Sequence, residues 1–283
     1  YGIALEEALE EVERVAREAD ETQRMQVVRT TLEGKADSGL CDLFADLAIQ
    51  AADALSEEDG GGDLERLRVK RLQVRQGNVI DSSLVQGLML PKSRVDISTP
   101  ANSGGGVVAI VDGGLDHPKL EISAKIEVDS PGVMQGFHDR AIENLQRQVD
   151  HLASLGVDLL VVRDGIADEA VSLLAKAGIT AYRRFERTDL ELLSMMTGAK
   201  LSRDALHIDK GDVGDYAGRS EEAIADVKHT IIEGTCGGAM TLVVRGSSPA
   251  VREEAMRIFD DAIGVAHRLT SKPEILPGGG AIQ

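Results

Sequence analysis

The sequence predicts a mixed α/β fold in which a helical domain, formed by both ends of the chain, carries an inserted α/β domain. Three observations lead to this prediction. Apolar residues recur at helical spacing before about Val69 and again after about Met240. Between these positions, short runs rich in β-branched residues are separated by clusters of Gly, Pro, Asn and Asp. Further along the middle segment, strand-like runs alternate with helical patterns, which is typical of α/β domains.

The first segment is predicted to be helical. One long opening helix is expected from an apolar stripe formed by Leu5, Ala8, Leu9, Val12, Val15 and Ala16. A polar break is expected at residues 29–35. A second helix should follow, with one apolar face formed by Leu40, Leu43, Phe44, Leu47, Ala51 and Leu55. The acidic and glycine-rich run 57–63 should end this helix as a surface loop.

The middle segment is predicted to start with strands and to continue with alternating strands and helices. Strands are expected at 69–74, 83–90, 107–111, 120–128, 157–162 and 179–182. The pair Ser130-Pro131 should start a helix whose apolar stripe contains Ile142, Leu145, Val149 and Leu152. A further helix is expected at 168–177, ended by Gly178. Thr188 and Glu191 have the spacing of a capping box that would open a helix through Met196, ended by Gly198.

The last segment is predicted to contain one strand and one long helix. The strand is expected at 240–244, and the turn 245–249 should cap the helix. The residues expected to be buried on this helix are Val251, Ala255, Ile258, Phe259, Ala262, Ile263 and Ala266.

The composition excludes several classes of protein. The chain has 283 residues, a formal net charge of −17 and 2% aromatic residues with no Trp. A nucleic-acid partner is therefore not expected, because phosphates would be repelled and few aromatic side chains could stack on bases. The acidity has two interpretations that stay open: solvated acidic surfaces on an ordinary protein, or adaptation to a salt-rich cytoplasm.

The cysteine and histidine positions predict neither a disulfide framework nor a metal site. Cys41 and Cys236 are expected to be reduced, buried thiols of an intracellular, cytoplasmic protein. The six histidines lack the spacing of a zinc site. No apolar stretch reaches the roughly 18 residues of a membrane helix, and no membrane partner is expected. The chain starts with Tyr1 rather than Met, which suggests that the natural start lies upstream.

Three places could have a role in nucleotide chemistry, and each has a plainer interpretation. Gly278, Gly279 and Gly280 could let a nucleotide approach the backbone, or they could form a simple terminal loop. Asp261 could orient a water molecule, or it could be solvated like its neighbour Asp260. Lys35 could contact a phosphate as a point charge, or it could be a solvated lysine. The sequence contains no complete phosphate-loop motif.

Two apolar helices of the middle segment could form a surface that binds partner proteins. The candidate residues are Leu173, Leu174, Leu192, Leu193, Met195 and Met196. Flexible methionine suits a surface that must fit many partners. The alternative interpretation is that most of these side chains belong to the core.

Several segments together, in their order and spacing, resemble the group II chaperonins, which are the archaeal thermosome and the eukaryotic cytosolic chaperonin. The matching segments are Asp81–Gly87, Gly165–Ala170, Ala181–Arg184, Asp189–Leu190, Thr197–Ala199, Thr241–Gly246, Asp261–Ile263 and Pro277–Ala281. The resemblance covers nearly the whole chain.

The resemblance implies a division into domains and roles for the candidate residues. Residues 1–72 and 237–283 would form an intermediate domain, and residues 73–236 an apical, client-binding domain with a helical protrusion near 125–155. Asp261 would position the water that hydrolyses ATP. Lys35 would sense the γ-phosphate. Gly278, Gly279 and Gly280 would line the nucleotide pocket.

The resemblance leaves two main hypotheses and one minor one. The family's phosphate loop and its magnesium-binding aspartate belong to an equatorial domain that this sequence lacks, so the chain alone should not bind ATP or Mg²⁺ tightly. The leading hypothesis is that the chain is part of an archaeal-type chaperonin subunit from a salt-loving organism. Such a subunit folds non-native client proteins, and ATP hydrolysis drives the closure of its lid. With the missing domain, it would join other subunits in a double ring. The alternatives are a truncated, ATP-independent module that holds clients, and an unrelated α/β enzyme. The first residue and the stop after Gln283 favour a fragment over a truncated paralogue.

Overall fold

The chain divides into two compact units. The computed structural model describes residues 2–59, 69–116, 131–224, 226–236 and 238–278. The first unit contains Tyr1–Leu84 and Leu242–Gln283, and the second unit is the insertion Val85–Thr241. A mixed α/β fold with an inserted unit is therefore confirmed. The boundaries of the units lie later in the chain than the expected domain boundaries after residues 72 and 236.

The first unit consists mainly of helices. Its elements are α1 (Gly2–Val15), β1 (Arg17–Glu18), α2 (Glu21–Leu32), α3 (Ser38–Asp59), β2 (Val69–Val74), β3 (Ser83–Gln86), β11 (Met240–Arg245), α7 (Pro249–Ser271) and β12 (Glu274–Ile275). Strand β11 lies between β2 and β3 in a three-stranded sheet, and β1 pairs antiparallel with β12.

The prediction of one long opening helix is wrong, because the chain forms two helices here. Asp20 caps α2: its carboxylate accepts from the backbone N–H of Gln23, and the Gln23 side chain accepts from the backbone of Asp20. This capping box starts a new helix. The expected break at 29–35 is helical as far as Leu32, and the turn begins only at Glu33. Likewise, α3 continues to Asp59, into the expected loop at 57–63, and residues 60–68 lie outside the described residues.

The core of the first unit lies between α2, α3 and α7. Phe44 on α3 and Phe259 on α7 are fully buried there, as is Leu32 at the end of α2. Ser248 caps α7 through the backbone N–H of Val251, as the sequence predicts. Burial of Val251 itself is wrong, because its side chain is 44% exposed.

The second unit is a layered α/β structure. Its elements are β4 (Leu88–Leu90), β5 (Gly106–Val111), α4 (Pro131–Ser154), β6 (Leu159–Val162), α5 (Asp168–Lys176), β7 (Thr180–Tyr182), α6 (Arg187–Thr197), β8 (Leu201–Ser202), β9 (Gly214–Ile224) and β10 (Val227–Gly234). They form a seven-stranded sheet in the order β4-β10-β9-β5-β6-β7, and β8 pairs with the end of β5. Strands β5, β6, β7 and β8 run parallel, whereas β4, β9 and β10 form an antiparallel extension.

Helices cover both faces of this sheet. Alternate residues of β5 point to opposite faces, so Ala109 and Val111 pack in one core cluster and Val108 and Ile110 in another. The first cluster includes apolar residues of α4 and α5, and the second includes those of α6. Helices α5 and α6, which the sequence analysis treated as one pair, therefore lie on opposite faces.

Three local predictions for the second unit differ from the structure. The strand run 83–90 is interrupted at Gly87, where φ is +96° and a Cβ atom would lie 2.6 Å from the carbonyl oxygen of Ile232. The capping box at Thr188 is wrong, because α6 starts at Arg187 and the Glu191 carboxylate accepts from that arginine. Cys41 is buried, but Cys236 is exposed. The predicted strand 120–128 and Ser130 lie outside the described residues.

Candidate functional site

Lys35 stands in a tight turn at the end of α2. Gly34 has a φ of +80°, and its lack of a side chain allows the chain to reverse directly after the helix. The backbone N–H of Lys35 donates to the carbonyl oxygen of Leu32 at 3.0 Å, which fixes the turn. The Lys35 side chain is 39% exposed.

Asp261 lies on α7, facing this turn. Its neighbours Phe259, Ala262 and Ile263 are buried, whereas the Asp261 side chain is 42% exposed at the edge of the helix. The Nζ atom of Lys35 donates to Oδ2 of Asp261 at 2.8 Å. The structure therefore brings together two residues that the sequence analysis selected for separate reasons.

Asp260 has a different partner from Asp261. The Nε atom of Arg71 donates to Oδ1 of Asp260 at 3.0 Å, and the Nη2 atom donates to the same oxygen at 2.5 Å. The guanidinium also lies 6.0 Å from the centre of the Phe259 ring. The two adjacent carboxylates thus point to different cations, and only Asp261 contacts Lys35.

Further charges surround Asp261 on the same helix. Glu254 and Arg257 form an ion pair at 2.7 Å. The hydrogen bond from Arg257 lowers the pKa of Glu254, and the Lys35 charge lowers it slightly further while the Asp261 charge opposes the shift. The pKa of Arg257 is raised mainly by Glu254, with a smaller effect of Asp261. Asp261 therefore lies in a mixed-charge environment with a side chain that is partly exposed to water.

A cavity of about 380 Å³ lies beside Lys35 in the first unit. Leu40, Val79, Val251, Ala255 and Ile258 form most of its apolar lining. Lys35, Asp37 and Glu254 contribute charged groups. The cavity thus borders Lys35, the start of α3 and the first turns of α7.

The structure describes only part of the predicted glycine run. Gly278 is exposed, and no heavy atom lies within 4 Å of the position that a Cβ atom would take. Gly279 and Gly280 lie outside the described residues.

The predicted client-binding residues do not form one surface. Leu174, Leu193 and Met196 are buried in the core, where no partner protein could reach them in the folded state. Leu173 and Leu192 are partly buried against the two core clusters, on opposite faces of the sheet. Met195 is 46% exposed. The accessible apolar surface of α6 is therefore formed by Met195 and by the exposed part of the half-buried Leu192.

The predicted protrusion near 125–155 is described from residue 131 onward. This part is helix α4, and Leu145, Val149 and Leu152 in its second half are buried against the sheet. Residues 125–130 lie outside the described residues.

A cluster of arginines was missed by the sequence analysis. Arg163 and Arg187 both donate to Asp112, at the carboxyl ends of the parallel strands β5 and β6. The available signal was the polar residue that follows each strand, because carboxyl ends of parallel strands meet at one edge.

Metal and membrane sites are not indicated by the described part of the chain. Within it, no group of three or more His, Cys, Asp or Glu residues is arranged to hold a metal ion. Its helices are also too short or too polar to cross a membrane.

Comparison with known proteins decides the family. The family model of the TCP-1/cpn60 chaperonins matches residues 1–283. The chain belongs to this chaperonin family.

The chaperonin relatives are archaeal thermosome subunits. Thermosome subunit 1 of Haloferax volcanii is 31% identical over 285 residues, covering 99% of this chain and 50% of the relative. Thermosome subunit alpha of Sulfolobus acidocaldarius is 32% identical over 298 residues, covering 100% of this chain and 53% of the relative. This chaperonin chain thus spans about half the length of these relatives.

The fold is also that of a chaperonin. The open-state monomer of a group II chaperonin from Methanococcoides burtonii superimposes with a TM-score of 0.79 at 22% sequence identity. The match covers 100% of this chain and 65% of that monomer.

Proposed function

We propose that this chain is the part of an ATP-dependent group II chaperonin subunit that links ATP hydrolysis to the capture and folding of non-native proteins. The first unit, together with the expected intermediate segments 1–72 and 237–283, would respond to nucleotide. The second unit, within the expected apical segment 73–236, would bind clients. The observation that supports this proposal best is the 2.8 Å contact between Lys35 and Asp261.

The chemistry follows from the two side chains. A carboxylate such as Asp261 can accept a proton from, and orient, a water molecule that attacks a γ-phosphate. The ammonium of Lys35 is a mobile point charge that can contact the same phosphate. Gly278, Gly279 and Gly280 would let the nucleotide approach the backbone. ATP and Mg²⁺ would be bound mainly by residues that this sequence does not contain, since it has no phosphate-loop motif.

Client binding is assigned to the exposed side of α6. Leu192 and Met195 offer apolar contact there, and the flexible Met195 side chain suits varied partners. Hydrolysis would move the client-binding domain and close the protrusion over a captured protein. The working assembly would be a ring of such subunits in the cytoplasm.

A second candidate function is ATP-independent holding of clients. The absence of a phosphate-loop motif from the sequence favours it for this chain alone. Light scattering from a denatured client, diluted with and without the chain and ATP, separates the two functions. The proposal predicts ATP-independent suppression by the chain alone and ATP-dependent release by a complete subunit. A complete subunit that suppresses aggregation but never responds to ATP would support the holding module, and no suppression by either protein would contradict both.

A further inference from the structure

Four arginines, Arg163, Arg183, Arg184 and Arg187, lie where β6 and β7 end and α6 begins. We call them the arginine edge. Arg163 directly follows β6, Arg183 and Arg184 directly follow β7, and Arg187 is the first residue of α6. Carboxyl ends of parallel strands are the usual place for ligand binding in α/β domains.

Two members of the arginine edge share one carboxylate. The Nη1 atoms of Arg163 and Arg187 donate to Asp112 at 2.5 and 3.4 Å, and the Asp112 side chain is only 13% exposed. The pKa of Arg187 is raised mainly by its hydrogen bond with Glu191, whereas the nearby charge of Arg163 opposes this shift. The two guanidiniums are therefore close enough to repel each other.

The other two members have no ion-pair partner among the described residues. Arg183 and Arg184 are both exposed, between the buried aromatic residues Tyr182 and Phe185. Their guanidiniums are thus presented to solvent by a rigid segment, in a chain whose net charge is −17. These two guanidiniums can therefore donate to a carboxylate of a bound molecule.

The backbone holds Arg184 in an unusual conformation. Its φ is +61°, in the left-handed region that favours glycine. The N–H of Arg184 donates to the carbonyl oxygen of Asp164 at 3.1 Å, and Lys92 Nζ donates to the carbonyl oxygen of Arg184 at 2.5 Å. Such strain in a non-glycine residue is concentrated at functional sites. An arginine in this conformation lowers the stability of the fold relative to glycine, which indicates that its side chain has a role in binding.

The arginine edge continues into the exposed apolar side of α6. Arg187 and Met195 are eight positions apart on one helix, which corresponds to about 12 Å along its axis. An extended peptide covers this distance in about four residues. A bound segment could therefore place acidic residues at the arginine edge and an apolar residue on Leu192 and Met195.

We propose that the arginine edge binds aspartate or glutamate side chains of a client segment whose apolar residues contact Leu192 and Met195. This inference rests on the proposed client-binding function of α6. A polyphosphate fits the edge less well, because the adjoining loops contain Asp112, Asp116 and Asp164, whose carboxylates repel dense negative charge. Single carboxylates, spaced along a peptide, carry less charge at each point than a polyphosphate and can meet the exposed guanidiniums of Arg183 and Arg184.

The test is fluorescence anisotropy of two labelled peptides with the intact chain in about 0.1 M KCl, where surface charges are not fully screened. Both peptides contain the same leucines. About four residues from these leucines, one peptide has Glu and the other has Lys. We expect the Glu peptide to bind about tenfold more tightly, as two charge-assisted hydrogen bonds allow. R183E/R184E should remove the preference, whereas K210E/K228E, which changes the charge equally at exposed positions outside the edge, should keep it.

A second variant separates binding from folding. R184G relieves the left-handed strain, so it should keep or raise the unfolding midpoint while weakening binding of the Glu peptide. Equal binding of both peptides, or a preference that survives R183E/R184E, would overturn the inference. Displacement of the Glu peptide by millimolar tripolyphosphate as effectively as by unlabelled peptide would show a general polyanion site and also overturn it. Loss of binding for both peptides, together with no suppression of aggregation, would instead contradict the proposed client-binding function itself.

Discussion

The Nζ atom of Lys35 lies 2.8 Å from Oδ2 of Asp261, although 226 positions separate the two residues in sequence. The turn after α2 and the middle of α7 bring them together. Each residue thus neutralises the charge of the other.

The Lys35–Asp261 pair should contribute little to stability. Because both side chains are about 40% exposed, water screens the pair, and we expect a coupling free energy of about 0.2–1 kcal/mol. Urea unfolding of Lys35→Ala, Asp261→Ala and the double variant measures this value. A coupling well above this range would assign the pair a structural role.

Hydrolysis should depend on Asp261 and not on Asp260. In a complete subunit, Asp261→Asn should lower the rate of ATP hydrolysis by about 100-fold or more, since a positioned general base contributes that much. Binding of ATP should be retained. Asp260→Asn is the matched control, because Asp260 contacts Arg71 and not Lys35. Equal loss in both variants would remove Asp261 from its proposed role.

Met195 and Leu193 should respond differently to substitution, although they are close on α6. Met195→Asp should reduce suppression of client aggregation and leave the free energy of unfolding nearly unchanged, because this side chain is exposed. Leu193→Ala should lower the free energy of unfolding by about 2–5 kcal/mol, because it leaves a cavity in the core. Thermal unfolding and light scattering on both variants check this. Unchanged suppression by Met195→Asp would exclude that side chain from client binding.

Gly87 should be more sensitive to substitution than Gly178. Both have positive φ, but a Cβ atom at Gly87 would lie 2.6 Å from the Ile232 carbonyl oxygen, whereas Gly178 has open space. Gly178→Ala should lower the free energy of unfolding by about 1 kcal/mol, from the backbone conformation alone. Gly87→Ala adds the clash and should lower it by about 2–4 kcal/mol. Equal effects in urea unfolding would contradict the close approach at Gly87.

Tyrosine ionisation should destabilise the second unit at alkaline pH. Burial is the main cause that raises the pKa of Tyr182 and of Tyr216, and the Asp158 hydrogen bond adds to the shift of Tyr216. The folded state therefore favours the neutral phenols. The two neutral phenols contribute to the free energy of unfolding below the pKa of about 10 that tyrosine has in the unfolded chain. This contribution is lost as the pH rises toward the higher pKa values of the folded chain. Absorbance at 295 nm should show two of the three tyrosines ionising late, and Tyr216→Phe should remove one of them. Ionisation of all three tyrosines of the folded chain near pH 10 would contradict this prediction.

Elements with local signals were predictable from the sequence. The start of α7 follows from Ser248 and Pro249, and the end of α6 follows from Gly198, which adopts a φ of +74°. The hairpin of β9 and β10 was missed because its strands contain many exposed charged residues and three glycines. Such strands lack the strict apolar alternation that predicts a strand from sequence.

The candidate sites needed three-dimensional information. Leu193 and Met195 have the same apolar character in sequence, yet the sheet covers only Leu193. Which side of a helix meets the sheet depends on distant strands. Similarly, nothing local distinguishes Asp260 from Asp261, because their difference arises from Arg71 and Lys35, far away in the chain.

The two ends of the second unit are tied to each other. The N–H of Gly87 donates to the carbonyl oxygen of Ala239 at 2.7 Å, and the Thr241 hydroxyl donates to the carbonyl oxygen of Gly87 at 2.8 Å. Because its two ends lie close together, an insertion of this kind can be removed, replaced or circularly permuted without a long linker to join the ends. The sequence of this unit could thus change while the chain that flanks it stays the same.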